Sequence, residues 1–363
     1  MSKLKIGIIG CGGIANDKHM PSMAKQSEVS LVAFCDIIPE RAEKAAAEYG
    51  APDAKVYTDY RKLLEDKDIY AVHVLTPNVS HCEITCAALE AGKHVMCEKP
   101  MAANVADAQK MMDTAKRTGK LFTVGYQYRF IDSHYTMKRF CDAGYLGDIY
   151  YAEAKALRRR GVPTWGVFTD KEKQGGGPLI DIATHALDLT LWMMDNYEPK
   201  SVTGVTFEKL GKYLGPDEQG NTMGVWDPES FEVEDSAFGF VTMKNGALIN
   251  VKASWALNIL DSGGMVTLCG TKGGLDSGRE GVRLNRVDLG KQTVTNIETI
   301  SMFGNVHPRN NYLNPNDAEA THWVNALMGR GELFVNPEHA FVVTKILDAI
   351  YQSAATGKTI YFD

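Results

Sequence analysis

The feature that most constrains the fold is a regular alternation of short apolar strands and helical stretches over residues 1–125. The strand candidates are hydrophobic on both faces: Lys5–Ile9, Leu31–Cys35, Ala71–Leu75, His94–Cys97 and Leu121–Val124. The helical stretches between them are rich in Ala, Glu and Lys: Pro39–Tyr49, Ser80–Ala91 and Val105–Thr118. Strands that are buried on both faces and joined through helices form parallel, doubly wound sheets. We therefore expect an α/β domain over residues 1–125.

From residue 126 the pattern changes to longer, partly alternating strands, which predicts an α+β domain with a large, mostly antiparallel sheet over residues 126–363. The strand candidates are Asp148–Leu157, Ser201–Lys209, Glu234–Met243, Ala247–Ala256 and Met265–Cys269. The helix candidates are Pro178–Met194, Asn316–Met328 and Pro337–Thr356. The Asn245-Gly246 pair is typical of a hairpin turn. Two long loops, Arg158–Gly177 and Gly211–Phe231, are of a length that favours a binding function.

Composition excludes several classes of function. The net charge of −6 indicates no electrostatic footprint for nucleic acid. No run of 18 apolar residues occurs, and the apolar segment near the N-terminus is too short for a signal peptide, so we expect no membrane partner. The seven cysteines form neither a disulfide framework nor a four-ligand zinc pattern. Reduced thiols fit a cytoplasmic location.

A glycine-rich turn follows the first strand directly, in the segment Gly10-Cys11-Gly12-Gly13-Ile14-Ala15. It fits the dinucleotide-binding fingerprint with Ala at the third small position. Gly10 permits the tight turn, and Gly12 lets the backbone approach a pyrophosphate. The backbone amides at the start of the next helix, with Gly13 and Ile14 among the cofactor-binding candidates, are placed to bind the phosphate charge.

Asp36 ends the second strand, 21 residues after Ala15, where an acidic side chain accepts both ribose hydroxyls of a dinucleotide. A carboxylate at this point repels the 2′-phosphate of NADP, so the sequence favours NAD. Arg41 in the following helix is a candidate contact for the 2′-phosphate of NADP. It is equally explained as a solvated helix residue. Glycine turns after strands are common, so the inference depends on the turn and Asp36 together.

With these motifs and four others, the chain resembles the glucose–fructose oxidoreductase / inositol dehydrogenase / rhizopine catabolism family, Gfo/Idh/MocA, over essentially its whole length. The four further motifs are Thr76-Pro77-Asn78 with His81, Glu98-Lys99-Pro100, Gly125-Tyr126-Gln127-Tyr128-Arg129-Phe130, and Asp181-Ile182-Ala183-Thr184-His185. The resemblance implies a Rossmann domain followed by a substrate-binding and oligomerisation domain, and hence a homo-oligomer.

The resemblance also implies individual roles. Thr76, Asn78 and His81 line the nicotinamide-side ribose with Glu98 nearby, and Lys99 enters the active site, often beside a cis Lys–Pro bond. Gln127 takes a position that is commonly Asn in the family, and is a further candidate cofactor contact. Taken singly, Thr76-Pro77 is also explained as a strand-ending turn and His81 as a surface residue.

Oxidation of a secondary alcohol needs a base that accepts the hydroxyl proton, and the second half of the chain contains a candidate. Histidine suits it because its ordinary pKa lies near neutrality. His185 follows Asp181 by one helical turn, so both project from one helix face. We assign His185 as acid/base, Asp181 to a substrate hydroxyl or to orienting the base, and Lys99 to stabilising developing negative charge. The alternative is a helix with a capping Asp181 and a core His185. The glycines before Pro178 favour the functional interpretation, because they suggest a close approach of backbone to a ligand.

The sequence therefore predicts an NAD-dependent oxidoreductase that transfers a hydride between nicotinamide and a secondary hydroxyl of a sugar, glycoside or cyclitol. No metal is expected, since no ligand-spaced cluster accompanies these residues. Alternatives are an inositol dehydrogenase, an NAD-dependent glycosidase that oxidises C3 transiently, and a non-catalytic NAD(H) sensor. Candidate substrate contacts are Arg158, Trp165 and Tyr312, by location and type alone. Trp165 and Trp226 on the long loops favour a glucoside or free hexose, oxidised to the 3-keto sugar, over myo-inositol.

Overall fold

The structure is a computed structural model that describes residues 3–260, 263–278, 281–300, 302 and 314–362. The chain packs as two units, each with its own β-sheet. Within the described residues, unit 1 comprises Met1–Phe130 and Arg309–Phe341, and unit 2 comprises Ile131–Pro308 and Val342–Asp363. Each unit is described by itself below.

Six parallel strands form the sheet of unit 1. They are β1 Leu4–Ile9, β2 Val29–Cys35, β3 Lys55–Tyr57, β4 Ala71–Val74, β5 His94–Glu98 and β6 Phe122–Gly125. Their spatial order is β3-β2-β1-β4-β5-β6, so the chain changes direction across the sheet between β1 and β4. Ligands of doubly wound sheets bind beyond the carboxyl ends of the strands at such a switch point. The expected parallel sheet is confirmed; β3, a short and largely exposed edge strand, was not predicted.

Helices flank both sheets. Within the described part of the chain the α-helices are α1 Met20–Ala24, α2 Pro39–Tyr49, α3 Tyr60–Leu64, α4 His81–Glu90, α5 Val105–Thr118, α6 Asp132–Asp142, α7 Lys171–Gln174, α8 Thr184–Met194, α9 Pro315–Leu327 and α10 Pro337–Thr356. π-Helical turns at Ala15–His19 and Leu179–Ala183 lead into α1 and α8. The local signals for α5 are clear: the Asn104 side chain accepts the Asp107 amide at its start, and Gly119 ends it with φ +65°.

Helix α9 belongs to unit 1, although the sequence pattern groups it with the second half of the chain. Trp323, Val324 and Leu327 join the hydrophobic core that contains Ile6 and Ile8 of β1. A long-range apolar match of this kind has no local sequence signal, because α9 is separated from β1 by most of the chain.

Nine strands form the sheet of unit 2. They are β7 Ile149–Leu157, β8 Pro199–Phe207, β9 Ser236–Met243, β10 Leu248–Ser254, β11 Val266–Gly270, β12 Gly274–Gly278, β13 Gly281–Asp288, β14 Lys291–Ile297 and β15 Ile360–Tyr361. The order is β14-β13-β12-β11-β7-β10-β9-β8-β15. The described strand pairs are antiparallel except β7 with β10, which confirms the mostly antiparallel sheet. Asn245-Gly246 joins β9 to β10 as predicted, with Gly246 at φ +90°.

The two faces of this sheet differ. Ala152 and Ala154 of β7 and Val251 of β10 are buried on one face, where α8 contacts β7. Alternate residues such as Phe240 of β9 lie on the other face and are half exposed. The alternation places the buried side chains on the side of α8.

Within the described residues, none of the helices is both long enough and apolar enough to span a bilayer.

Candidate active site

The glycine turn lies between β1 and the π-helical turn that follows. Gly10 has φ +93°, and a Cβ atom there would lie 2.6 Å from the carbonyl oxygen of Leu75. Glycine satisfies this position because positive φ disfavours a side chain and the neighbouring strand leaves no room. A Cβ atom at Gly12 would meet no atom within 4 Å, and Gly13 and Ile14 beside it are exposed. The turn is thus packed against the sheet and open in front of Gly12, as the approach of a pyrophosphate requires.

Asp36 follows β2 directly and is held by backbone amides. One carboxylate oxygen accepts the Cys11 N–H at 2.8 Å and the other accepts the Ile38 N–H at 2.9 Å. Each carboxylate oxygen has lone pairs for a further bond. The bond from Cys11 also ties the carboxylate to the glycine turn. The fixed carboxylate, with acceptor lone pairs left on both oxygens, therefore fits the ribose hydroxyls in the adenosine half of NAD. Arg41 lies exposed on α2.

The turn after β4 is closed by its own side chains. The Ser80 hydroxyl contacts the Thr76 hydroxyl at 2.7 Å, and buried Asn78 belongs to the same turn. The two ring nitrogens of His81 lie 2.9 Å from the carbonyl oxygens of Thr76 and Pro100. Burial lowers the pKa of His81, and these carbonyls oppose the shift. Through these contacts, His81 connects the loop after β4 with the loop after β5. That His81, Thr76 and Asn78 line the ribose stays a prediction.

Glu98 at the end of β5 holds the backbone next to Lys99. One of its carboxylate oxygens accepts the Lys99 N–H at 3.0 Å. The other lies 2.6 Å from the Lys18 ammonium and 2.8 Å from a ring nitrogen of His19. Burial opposes ionisation of Glu98, but Lys18 and His19 outweigh it and hold the pKa of this carboxyl well below its usual range. The Lys99–Pro100 peptide bond is cis.

The charges around Lys18 form a buried network within unit 1. Lys18 also bonds Glu319 of α9 at 2.8 Å and the Gln127 side-chain oxygen at 3.3 Å. His19 contacts His73 of β4 through their Nδ1 atoms at 3.0 Å. Burial, and then Lys18, lower the pKa of His19 to about 4. Burial raises the pKa of Glu319 despite Lys18. Both oxygens of Glu98 thus have protein partners, which gives Glu98 a role in fixing Lys99.

Asp181 and His185 lie on the helix that begins after Pro178 in unit 2. The turn that carries Asp181 is π-helical, and His185 follows in the first turn of α8. Both residues are only 5% exposed. The indole N–H of Trp255 donates to the Asp181 carboxylate at 3.1 Å. The helix is where the sequence predicts it, and its π-helical turn is a feature often found at functional sites.

The glycines before this helix contact protein groups. A Cβ atom on Gly176 would overlap the Tyr351 hydroxyl, and one on Gly177 would overlap the backbone carbonyl oxygen of Glu234. These protein contacts account for Gly176 and Gly177 by themselves, because α10 and the segment before β9 pack directly on the start of the helix. That the segment also brings backbone close to a ligand stays a prediction.

Comparisons with known proteins decide the family. Residues 4–126 match the model of an oxidoreductase family with an NAD-binding Rossmann fold, and residues 134–276 match the GFO/IDH/MocA C-terminal domain. A D-glucoside 3-dehydrogenase of Escherichia coli (strain K12) is 35% identical over 360 residues, which cover 99% of this chain and 97% of the relative. The chain belongs to the GFO/IDH/MocA oxidoreductase family. The predicted family, oxidoreductase activity and NAD cofactor are confirmed.

Two further relatives of this GFO/IDH/MocA member differ in how far they match. An inositol 2-dehydrogenase of Salmonella typhimurium is 32% identical over 194 residues, 53% of this chain and 55% of that protein. The crystal structure of an aldose-aldose oxidoreductase from Caulobacter crescentus, complexed with glycerol, has a TM-score of 0.77 and 25% identity, covering 99% of this chain and 100% of that chain. The two-part fold is therefore shared along the full length.

The predicted substrate contacts have different surroundings. Arg158 donates to the carbonyl oxygen of Gly161 in its own loop at 2.9 Å. Trp165 is 56% exposed, so its ring face is available to a ligand. Tyr312 lies outside the described residues. Trp226 is buried and donates its indole N–H to the Gly211 carbonyl oxygen at 2.7 Å, so it packs within its own loop.

No metal-binding group of three or more His, Cys, Asp or Glu residues occurs in the described part of this family member. The seven cysteines, which are all described, are free thiols. Cys82 and Cys86 are buried on α4, and burial raises the pKa of Cys82 to about 12, as expected for cysteines that pack as small apolar residues.

Several residues that shape the site were missed by sequence reasoning. They are Lys18, His19, His73 and Glu319 around Glu98, and Glu234, Tyr351 and Trp255 around the helix with Asp181. A signal existed for Lys18 and His19, since two polar residues stand in a segment that must pack beneath the glycine turn. The others join the site through contacts across long sequence separations.

Proposed function

We propose that this GFO/IDH/MocA enzyme oxidises the C3 hydroxyl of a glucoside or free hexose to the 3-keto sugar with NAD. The observation that carries the proposal is the extent of similarity. It spans 99% of the chain for the D-glucoside 3-dehydrogenase but 53% for the inositol 2-dehydrogenase. The match to the glucoside enzyme therefore includes the part of the chain after the Rossmann domain, which is where the family binds substrate.

The glycine turn and Asp36 are the groups of this chain that would hold NAD. The open space in front of Gly12 suits the pyrophosphate, and the fixed carboxylate of Asp36 suits the ribose hydroxyls. When bound, NAD supplies the acceptor for the hydride that leaves the carbinol carbon. Asp36 disfavours NADP, because its charge would lie against the additional phosphate.

The protein residues manage the hydroxyl proton and the charge on oxygen. His185 accepts the proton from the substrate hydroxyl, since an imidazole is an effective base near neutral pH. Asp181, whose carboxylate is held by Trp255, binds a neighbouring substrate hydroxyl or orients the base. The ammonium of Lys99 donates a hydrogen bond to the reacting oxygen and stabilises its developing negative charge. Glu98 fixes the backbone of Lys99 for this purpose.

Substrate preference is tested by incubating the protein and NAD with methyl glucosides, glucose and myo-inositol. NADH absorbance measures turnover, and mass spectrometry detects the loss of two hydrogens from the sugar. We expect the highest kcat/KM with a glucoside or glucose. A kcat/KM for myo-inositol about tenfold higher than for any glucoside, ~1.4 kcal/mol, would overturn the proposal. Release of the aglycone from a chromogenic glycoside without added NAD would instead identify a glycosidase.

The assigned residues are tested by substitution. His185→Ala lowers kcat by about 10²–10⁴, the usual contribution of positioned acid–base catalysis. Lys99→Ala causes a loss of the same order while NAD binding, measured by calorimetry, is retained. Exposed Lys116→Ala is the matched control with unchanged kcat. Wild-type kcat in either active-site variant, or strict dependence on an added divalent metal after EDTA treatment, would contradict the assignment.

A further inference from the structure

The helix that carries Asp181 and His185 is capped at its start by an acidic side chain from another part of the chain. The first amides of a helix have no partner within the helix. Pro178 at its start provides no side-chain cap. Instead, Glu234, two residues before β9, accepts the Gly177 N–H at 2.9 Å and the Leu179 N–H at 3.1 Å. A negative charge at this end of a helix is favourable.

Glu234 is buried, and its charge has few other partners. Its third described donor is the Tyr351 hydroxyl of α10, at 2.8 Å. No Lys, Arg or His forms a salt bridge with it among the described residues. Burial raises the pKa of Glu234, and the bonds from Gly177, Tyr351 and Leu179 oppose this. Burial and the nearby carboxylate raise the pKa of Tyr351 well above its usual range, so the phenol remains the donor.

Close packing leaves the Gly176–Gly177 segment little room to move relative to Tyr351 and Glu234. Gly176 lies against the Tyr351 hydroxyl and Gly177 against the Glu234 backbone, so closely that no Cβ atom can be added at either position. The Asp181 N–H then donates to the Gly177 carbonyl at 3.0 Å. Glu234 therefore binds the amides of Gly177 and Leu179, which lie four and two residues before Asp181 in the chain. A displacement of about 1 Å at a reacting group can lower a rate by about 10²-fold.

We propose that Glu234 and Tyr351 are positioning residues, which through the amides of Gly177 and Leu179 set the direction of the turn that presents Asp181 and then His185. This inference rests on the proposed function, in which Asp181 and His185 act on the sugar. A buried carboxylate that binds only hydroxyl and amide donors is costly to maintain, which is typical of a group retained for function. Trp255 completes the arrangement by holding the Asp181 carboxylate itself.

Two conservative variants test the proposal. Tyr351→Phe removes one hydroxyl and keeps the ring, and Glu234→Gln keeps the shape but replaces one acceptor oxygen with a donor. With methyl glucoside as the probe, we expect kcat to fall about tenfold in Tyr351→Phe and about 10²-fold in Glu234→Gln. KM for NAD stays unchanged, because its proposed contacts lie in unit 1. The double variant should cost about as much as Glu234→Gln alone, since both changes act through one carboxylate.

The controls separate positioning from general loss of structure. Tyr361→Phe and Glu298→Gln make the same chemical changes at exposed sites and should leave kcat unchanged. Active-site concentration is measured by NAD titration, so kcat refers to folded protein. Methyl glucoside deuterated at C3 supplies the second readout: the isotope effect on kcat rises in the variants as hydride transfer becomes slower. A wild-type kcat per folded protein in the variants would overturn the proposal. So would an unchanged isotope effect together with a fall in activity that the fraction of unfolded protein explains.

A substrate-independent measurement keeps the inference separate from the proposed function. If the wild type fails to oxidise any glucoside or hexose, the proposed function fails by itself. Amide hydrogen exchange over residues 177–185 then tests the positioning contact directly. We expect faster exchange in both variants than in the wild type and the exposed controls. Wild-type protection in Glu234→Gln would overturn the proposal for any substrate.

Discussion

Asp36 is the residue that we propose sets the cofactor preference of this chain. Its carboxylate is fixed before any ligand arrives, because the amides of Cys11 and Ile38 each occupy one oxygen. In the proposed role, the remaining lone pairs accept hydrogen bonds from a neutral ribose, and the negative charge repels a phosphate. A preorganised acceptor of this kind loses little freedom on binding, which increases its contribution to affinity.

We predict that Asp36→Ser weakens NAD binding by about 10–100-fold, as expected for losing hydrogen bonds to a charged group worth ~1.5–3 kcal/mol. Discrimination against NADP should fall at the same time, because the repelling charge is gone. Ratios of kcat/KM for the two cofactors measure both effects. Exposed Glu40→Gln on α2 is the control that should leave the ratio unchanged. A wild-type preference for NADP would contradict the assignment of Asp36.

The buried network beside Glu98 predicts a pH-dependent stability. Burial and then Lys18 lower the pKa of His19 from 6.5 to about 4. Between these values the unfolded chain binds a proton that the folded chain does not, so stability falls as pH falls through this window. We predict that His19 alone lowers the free energy of unfolding by about 2 kcal/mol between about pH 7 and pH 5. Urea unfolding at both pH values measures it.

The variant His19→Gln keeps an N–H donor for Glu98 without a group that titrates in this range. Its stability should therefore change less than that of the wild type between the same two pH values. Equal losses in the two proteins would show that His19 does not carry the effect.

At the scale of elements, the start of the helix that carries Asp181 and His185 illustrates how glycines can be required by packing. Gly176→Ala would overlap the Tyr351 hydroxyl, and the strain must displace α10 or the turn. We predict a loss of ~1–3 kcal/mol, the usual cost of overpacking, together with a lower kcat. Thermal unfolding and NADH absorbance measure the two effects.

Gly331→Ala is the matched control, because a Cβ atom there would meet nothing within 4 Å and its φ is not positive. It should leave both quantities unchanged or raise stability slightly. Equal melting temperatures for Gly176→Ala and wild type would show that the contact with Tyr351 is not tight.

Elements with strong local patterns were predictable, and weakly patterned ones were not. The apolar runs of β1 and β5 and the caps of α5 each lie within a few residues of sequence. Strands β12 to β14 have many exposed residues and weak alternation, so periodicity does not mark them. The candidate site divides in the same way: Asp36 follows from its distance to the glycine turn. Glu319 and Glu234 reach their partners only through the fold.

At the scale of the whole molecule, the residues with proposed roles are divided between the two units. The residues that fit NAD lie in unit 1, whereas Asp181, His185 and their supports lie in unit 2. Helix α9 returns to unit 1 and brings Glu319 to Lys18. A fragment that ends near residue 130 would therefore leave Lys18 and Glu98 without part of their network, as well as exposing core residues that α9 covers.

The exposed face of the unit 2 sheet supports the last prediction, which is that the protein forms a homo-oligomer. Val205 and Phe207 of β8 and Phe240 of β9 are between 38% and 52% exposed on this face. Adjacent exposed apolar residues of this size mark interaction surfaces. A second copy of the same sheet would cover them by twofold symmetry, the commonest arrangement of homo-oligomers. We therefore expect light scattering at micromolar concentration to give the mass of a dimer or a larger assembly.

The variant Phe240→Glu tests whether this face forms the interface. A charge in the middle of a buried apolar contact has no partner there, so the equilibrium should shift toward the monomer. Val225→Glu places the same charge on an exposed loop residue and should leave the mass unchanged. A monomeric wild type would contradict the predicted assembly, and an unchanged mass for Phe240→Glu would place the interface on another surface. Because neither NAD nor His185 enters this experiment, its outcome is independent of the proposed chemistry.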